Sequence, residues 1–218
     1  MKLTTKSLEA EAQHLLSRLL PDGFRYFKSY HHFRRQFSGG LSYLSVNAVT
    51  HNQSVYYLAF YLGVRIDALE RCIKSLWGDD ARLNHYDRSI WCYTVNISPS
   101  SPHWSFPISG QWAFQNLDDL SGDEVGISTF VKELAIPYLI LHERQGAIRE
   151  MLLEYPGHAQ NPYPYEQILA VDLIEDKNVS LEGDLAILEG RYANHVPSFR
   201  ERFHAFRDRI LLAKSGGV

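Results

Sequence analysis

Three short stretches of the sequence hold the side chains that chemistry would need. His31 and His32, followed by Arg34 and Arg35, put four nitrogen-bearing groups around Phe33, a set suited to a phosphate or a carboxylate. Neighbouring residues of an extended chain point to opposite faces, so the two histidines do not share one metal ion. The plainer reading of this stretch is a solvated strand edge. His85-Tyr86-Asp87, just after Asp79-Asp80, would place an imidazole and a carboxylate on one side of an extended segment. Metal or general-base chemistry there needs a third ligand or a nucleophile, and none is identifiable. Gly78 to Arg88 has the composition of an exposed connector. Asp118, Asp119, Asp123 and Glu124 gather four carboxylates ahead of a predicted helix. The helix dipole favours acids at that place, and the sharper alternative is an acidic surface that meets a basic protein partner.

Local motifs for catalysis are missing. The sequence has no serine nucleophile elbow, phosphate-binding glycine loop, dinucleotide fingerprint or His-Glu-x-x-His helix. It therefore predicts no cofactor, no metal and no assigned catalytic residue, although catalytic groups often converge from distant segments without a local signature. Cys72 and Cys92 have no metal-ligand spacing and read as reduced thiols, Cys72 on a packed helical face. A formal net charge of −3 and a pI near 6.4 argue against a general nucleic-acid binder. Acidic residues interrupt the start of the chain where a secretion signal would need an apolar core, and no uncharged apolar run reaches membrane-spanning length. The expectation is a cytoplasmic protein with no membrane segment.

The elements that must position these groups follow from hydrophobic period. Leu8, Ala12, Leu15, Leu16 and Leu19 lie on one helical face, so residues near 5 to 20 form an amphipathic helix ended by Pro21-Asp22-Gly23. From Phe24 to Ile66 the chain is dense in aromatic and β-branched residues and reads as sheet. Phe24 to Phe37 is read as one strand with both faces mixed, half-covered on each side or bulged near its middle. Ser38-Gly39-Gly40 supplies a hairpin turn. Leu41 to Val49 and Val55 to Val64 follow as strands, the second central because both its faces are apolar. Its odd-numbered face, with Tyr30 of the Phe24 to Phe37 strand, leaves Tyr30, Tyr57 and Tyr61 as candidate exposed rings that could stack a ligand.

A helix follows Asp67, carrying Leu69, Cys72, Ile73, Leu76 and Trp77 on one face. Ser89 to Ile97 reads as a fourth strand, Trp104 to Ile108 as a short edge strand, and Gln111 to Phe114 as an extension of the sheet. Beyond Gly122 the period is helical, with Pro137 kinking or splitting the first segment. Pro156 to Pro164 is the best linker, placing a boundary between a sheet domain at 1–155 and a C-terminal helical lobe at 156–218. Within that lobe Leu181, Leu185, Leu188 and Tyr192 mark one helix. Ser198 with Glu201 predicts a capping box for another, along which Phe199, Phe203, Phe206 and Ile210 form the apolar face. The fold class is α+β, an antiparallel sheet of about five strands packed by helices.

The leading helix, Gly23-Phe24-Arg25-Tyr26-Phe27 with Phe33-Arg34-Arg35 downstream, two sheet strands, and Asn116-Leu117-Asp118-Asp119-Leu120 before a helix closing on Ile136-Pro137-Tyr138-Leu139 resemble domain-of-unknown-function family 4304. The likeness covers residues 7–155. It implies a bacterial cytosolic α+β protein without assigned catalytic residues. The long Gly78 to Arg88 loop and the terminal helices depart from that pattern. The resemblance also permits a role as an immunity protein that neutralises a toxin.

Together these readings give a non-enzymatic protein that binds a protein partner through Asp118, Asp119, Asp123, Glu124 and the exposed tyrosines. The alternative is a small-molecule or nucleotide-processing enzyme working on the sheet face with His31, His32, Arg34 and Arg35, or His85 and Asp87, as its polar groups. A homo-oligomer joined by aromatic strand edges is a third arrangement.

Overall fold

The computed structural model describes residues 3–52, 55–77, 95–97, 111–114, 120, 123–154, 164–175, 178–194 and 196–215. They form an α+β protein with an antiparallel sheet, as the periodicity predicts. The chain divides into two compact units, Met1–Val64 with Asn96–Glu143, and Arg65–Val95 with Arg144–Val218. Linker composition predicts a single boundary after residue 155, whereas the chain passes between units at 64/65, 95/96 and 143/144. Composition marks where a chain is loose, and it carries no signal for a helix that joins neighbours distant in sequence.

The first unit opens with α1 (Thr5–Leu19), whose Leu8, Ala12, Leu15 and Leu16 are buried. Thr4 caps it: its hydroxyl accepts from the Ser7 amide at 3.1 Å, and the Ser7 side chain reciprocates on the Thr4 amide at 3.0 Å. Such a cap contributes about 1 kcal/mol. Gly23 then adopts φ +98°, a conformation that favours glycine, and turns the chain into the sheet.

Phe24 to Phe37 is not one strand. It is a hairpin, β1 (Arg25–Phe27), a 3-10 turn at Lys28–Tyr30, His31 in the left-handed region at φ 52°, and β2 (His32–Phe37). Tyr26 faces Phe33 and Phe27 faces His32 across it. The mixed faces expected from the sequence arise because the alternation runs through a chain reversal, which a four-residue turn without glycine does not announce.

β3 (Gly40–Asn52) and β4 (Val55–Ile66) follow the Ser38-Gly39 turn, and β5 (Val95–Ile97) and β6 (Gln111–Phe114) complete the sheet. The order is β1-β2-β3-β4-β5, with β6 also on β4, giving six strands among the described residues instead of about five. β4 is central, as its two apolar faces predict. Leu58, Phe60, Leu62 and Val64 are fully buried along one of them. Phe60 meets Phe130 at 5.2 Å between ring centres. Phe130 opens a π-helical stretch, Phe130–Ala135, between α3 (Glu124–Thr129) and α4 (Ile136–Leu141). Pro137 stands at the start of α4, where its missing N–H removes one link of the regular ladder and a widened turn precedes it.

The second unit is helical: α2 (Asp67–Trp77), α5 (Gln145–Glu154), α6 (Pro164–Ile174), α7 (Asn178–Tyr192) and α8 (Pro197–Lys214). α6 is its centre and packs on the other four. Every residue from Glu166 to Asp172 is buried, the mark of a helix surrounded on all sides. Leu181, Leu185, Leu188 and Tyr192 are buried on α7, and Phe203, Phe206 and Ile210 on α8, as their spacing predicts. The capping box expected at Ser198 is absent. Val196 is the N-cap with no side-chain bond, because Pro197 starts the helix ahead of the serine.

Candidate binding edge and buried charge clusters

The His31 to Arg35 stretch does not converge on one site. Strand alternation puts His32 and Arg34 on one face of β2 and Phe33 and Arg35 on the other. His31 lies outside both, exposed at the end of the turn. His32 is fully buried, 5.6 Å from the Tyr43 ring, and its Nε2 accepts from Arg34 Nε at 2.6 Å. That bond requires a neutral imidazole with its proton on Nδ1. The Arg34 guanidinium also lies over the Phe27 ring, 4.4 Å from its centre.

On the opposite face Arg35 pairs with Glu143, and the Ser42 hydroxyl donates to the same carboxylate at 2.8 Å. Arg35 and Ser42 are cross-strand partners, so two adjacent strands hold one acid that follows α4. The arrangement fastens a helix end to the sheet and neutralises Arg35.

Among the described residues no strand pairs with the far edge of β1. β1 is the last strand of the sheet, and Arg25, Tyr26 and Phe27 are all exposed, the two rings at 37% and 38%. Tyr26 packs against Phe33 at 5.0 Å, and burial together with the Glu9 carboxylate raises its hydroxyl pKa. Lys28, Ser29 and His31 continue the exposed rim.

Other predicted residues are placed as follows. Asp118, Asp119, His85 and Asp87 lie outside the described residues. Asp123 is exposed before α3, and Glu124 pairs with Arg18 of α1 at 3.0 Å. Tyr61 is half-buried on β4, on the face where Gly63 receives the Tyr43 ring. Tyr30 belongs to the 3-10 turn and Tyr57 to β4 opposite Ala113. Among the described residues no group of three or more His, Cys, Asp or Glu is placed to hold a metal, and no single helix is long and apolar enough to cross a membrane. Burial pushes the Cys72 thiol up to about 11, which keeps it protonated and unreactive at neutral pH.

Sequence reading missed two features. The first is charge segregation: no acidic residue occurs between Asp22 and Asp67, a stretch holding Arg25, Lys28, Arg34, Arg35 and Arg65. A chain of net charge −3 therefore carries +5 on the stretch that builds its first four strands and −8 elsewhere. The signal was legible in the sequence, hidden by a small net charge.

The second is a set of buried ions in the helical unit. Arg149 of α5 donates from Nε to Asp172 of α6 at 2.7 Å and from a terminal nitrogen to Asp184 of α7. One guanidinium thus serves two carboxyls, and burial with the neighbouring Asp184 raises the Asp172 pKa against the pull of Arg149. Glu166, also on α6, is pushed up to about 7 by burial, with Arg202 Nε at 3.8 Å. Perturbed carboxyls occur at acid-base centres, but Asp172 is sealed from solvent, and its geometry is that of a lock across three helices. No periodicity predicts it, because α6 reads as continuous apolar core with polar exceptions.

Comparison of the chain with protein-family models, with curated proteins and with solved structures returned no match.

Proposed function

We propose that this chain is a binding protein whose sheet unit engages an acidic protein partner. The observation that carries the reading is the acid-free run from Gly23 to Ile66, which builds β1 to β4 and gives them a positive charge within an acidic chain. Segregated charge steers association and selects partners of opposite sign. The inward-facing polar groups already have protein partners: Arg34 donates to His32, and Glu143 accepts from both Arg35 and Ser42. The groups directed outward are Arg25, Lys28 and the two edge rings.

This reading keeps protein binding and moves its surface. Glu124 already meets Arg18, so the acidic segment before α3 has part of its charge answered within the chain. A bacterial cytosolic setting, the resemblance to family 4304 and toxin neutralisation belong to the same proposal, and an acidic toxin or toxin segment is the partner class they would supply.

Capture from a host lysate by the full chain, compared with an Arg25→Glu/Lys28→Glu variant and repeated at raised salt, tests it. A protein retained by the parent, released by salt and lost from the variant is expected. An identical capture profile for parent and variant at both salt levels would sink the reading.

A further inference from the structure

We infer that β1 is a docking edge for an extended segment of the partner, one that alternates acidic and apolar residues and adds to the sheet as a strand beside Arg25–Phe27. The inference rests on the binding role proposed above and names the site and the chemistry of its occupant.

The backbone supplies the first part of the argument. An outermost strand presents N–H and C=O groups along its free edge, and among the described residues only β2 pairs with β1. Peptides that add to such edges take their affinity from main-chain bonds and their selectivity from alternate side chains. A three-residue strand offers few such bonds, which limits indiscriminate pairing and leaves selectivity to the side chains.

Those side chains define the occupant. Arg25 stands directly opposite Arg34 across the β1–β2 pair, and like charges in that relation repel. Arg34 is steadied by His32 and the Phe27 ring, while Arg25 makes no ion pair among the described residues. A carboxylate set beside Arg25 offsets that repulsion and gains charge-assisted hydrogen bonds. Tyr26 points to the other face with Phe33, so the alternate positions of an added strand meet an exposed ring. The acidic positions fall with Arg25 and Phe27, and the apolar ones with Tyr26.

A nucleic-acid strand fits less well. It requires several exposed rings on one face for stacking, whereas Tyr26 and Phe27 fall on opposite faces of β1 and the neighbouring His32 and Tyr43 are covered, at 0% and 3% exposure.

The test uses the full chain and a short synthetic peptide alternating glutamate and valine, labelled for fluorescence anisotropy. A lysine-valine peptide, a glutamate-valine peptide with alternate backbone amides methylated, and a single-stranded oligonucleotide are run beside it. The glutamate-valine peptide should bind, weaken as salt rises, weaken about tenfold or more with Arg25→Glu, and protect from hydrogen exchange those β1 amides that face away from β2. Circular dichroism confirms that the exposed substitution leaves the fold intact. Equal binding of the methylated peptide, preference for the lysine peptide or the oligonucleotide, or unprotected β1 amides overturns the inference. If the peptide fails while lysate capture stays salt-sensitive and is lost in Arg25→Glu/Lys28→Glu, strand addition is wrong and the binding role stands. If capture also ignores the charge reversal, both fall.

Discussion

Gly63 of β4 lies directly under the ring of Tyr43 on β3, so close that a Cβ at Gly63 would stand 1.5 Å from the tyrosine Cε1. Tyr43 is 3% exposed and touches His32 as well, so the ring has no free direction in which to retreat. Gly63→Ala should therefore destabilise the sheet unit by about 3 kcal/mol, the scale of overpacking in a closed core. In a Tyr43→Ala background the same change should cost less than about 1 kcal/mol. Urea unfolding of the four variants in this cycle gives the answer, and additive losses would show that the ring is not the obstacle.

Arg149 is the sole cation bonded to the Asp172 and Asp184 pair among the described residues, and it joins three helices through them. Removing one partner of a buried ion cluster leaves uncompensated charge, at a cost of about 3 to 5 kcal/mol. Arg149→Met should lower the stability of the helical unit by that amount at neutral pH. Asp172→Asn/Asp184→Asn in the same background should recover part of the loss, because the buried charge goes with the carboxylates. Chemical denaturation followed by hydrogen exchange at α6 reads both effects, and no recovery in the triple variant would assign the loss to packing of the arginine stem.

The contrast between the two units shows what a sequence makes legible. Leu8 to Leu16, Leu58 to Val64 and Leu181 to Tyr192 each repeat with the period of their element, because one face of each must be apolar to be buried. The β1–β2 hairpin escaped because its turn, Lys28 to His31, lacks the glycine or proline that marks reversal, and His31 takes the positive φ itself. The placing of α2 with the C-terminal helices escaped for another reason: pairing of faces far apart in sequence leaves no local trace. The candidate edge was partly legible, since His31 to Arg35 drew attention to it. Its working residues, Arg25 to Lys28, have the composition of the interior of a longer strand.

Glu143 receives Arg35 and the Ser42 hydroxyl with its side chain about four-fifths covered. Glu143→Ala leaves Arg35, whose Nε has no hydrogen-bond partner among the described residues, with its charge unmet beside Phe24. A loss of about 2 kcal/mol from the sheet unit is expected, the scale of a hydrogen bond to a charged group. Glu143→Gln should cost less, since its amide oxygen still accepts, and Ser42→Ala less again. If all three variants unfold at the parent's urea midpoint, the cluster is not holding the helix end to β2 and β3.

Glu166 and Asp172 make the stability of the helical unit depend on pH in an unusual direction. Burial raises Glu166 from 4.5 to about 7, and Asp172 is raised by burial and by Asp184. Between pH 4.5 and 7 the folded protein therefore holds protons that the unfolded chain has released. The contribution of these groups is greatest below the unfolded value, falls as pH rises through the window, and levels off above the folded value. Paired surface carboxylates have depressed pKa values and act in the opposite sense, so the informative quantity is the difference between parent and variant. Glu166→Gln/Asp172→Asn should lose less stability than the parent between about pH 5 and about pH 8. Urea unfolding at the two pH values, followed at the α6 amides, measures this. A parent and variant that change in parallel would mean that both carboxyls ionise in the folded unit as they do in the unfolded chain.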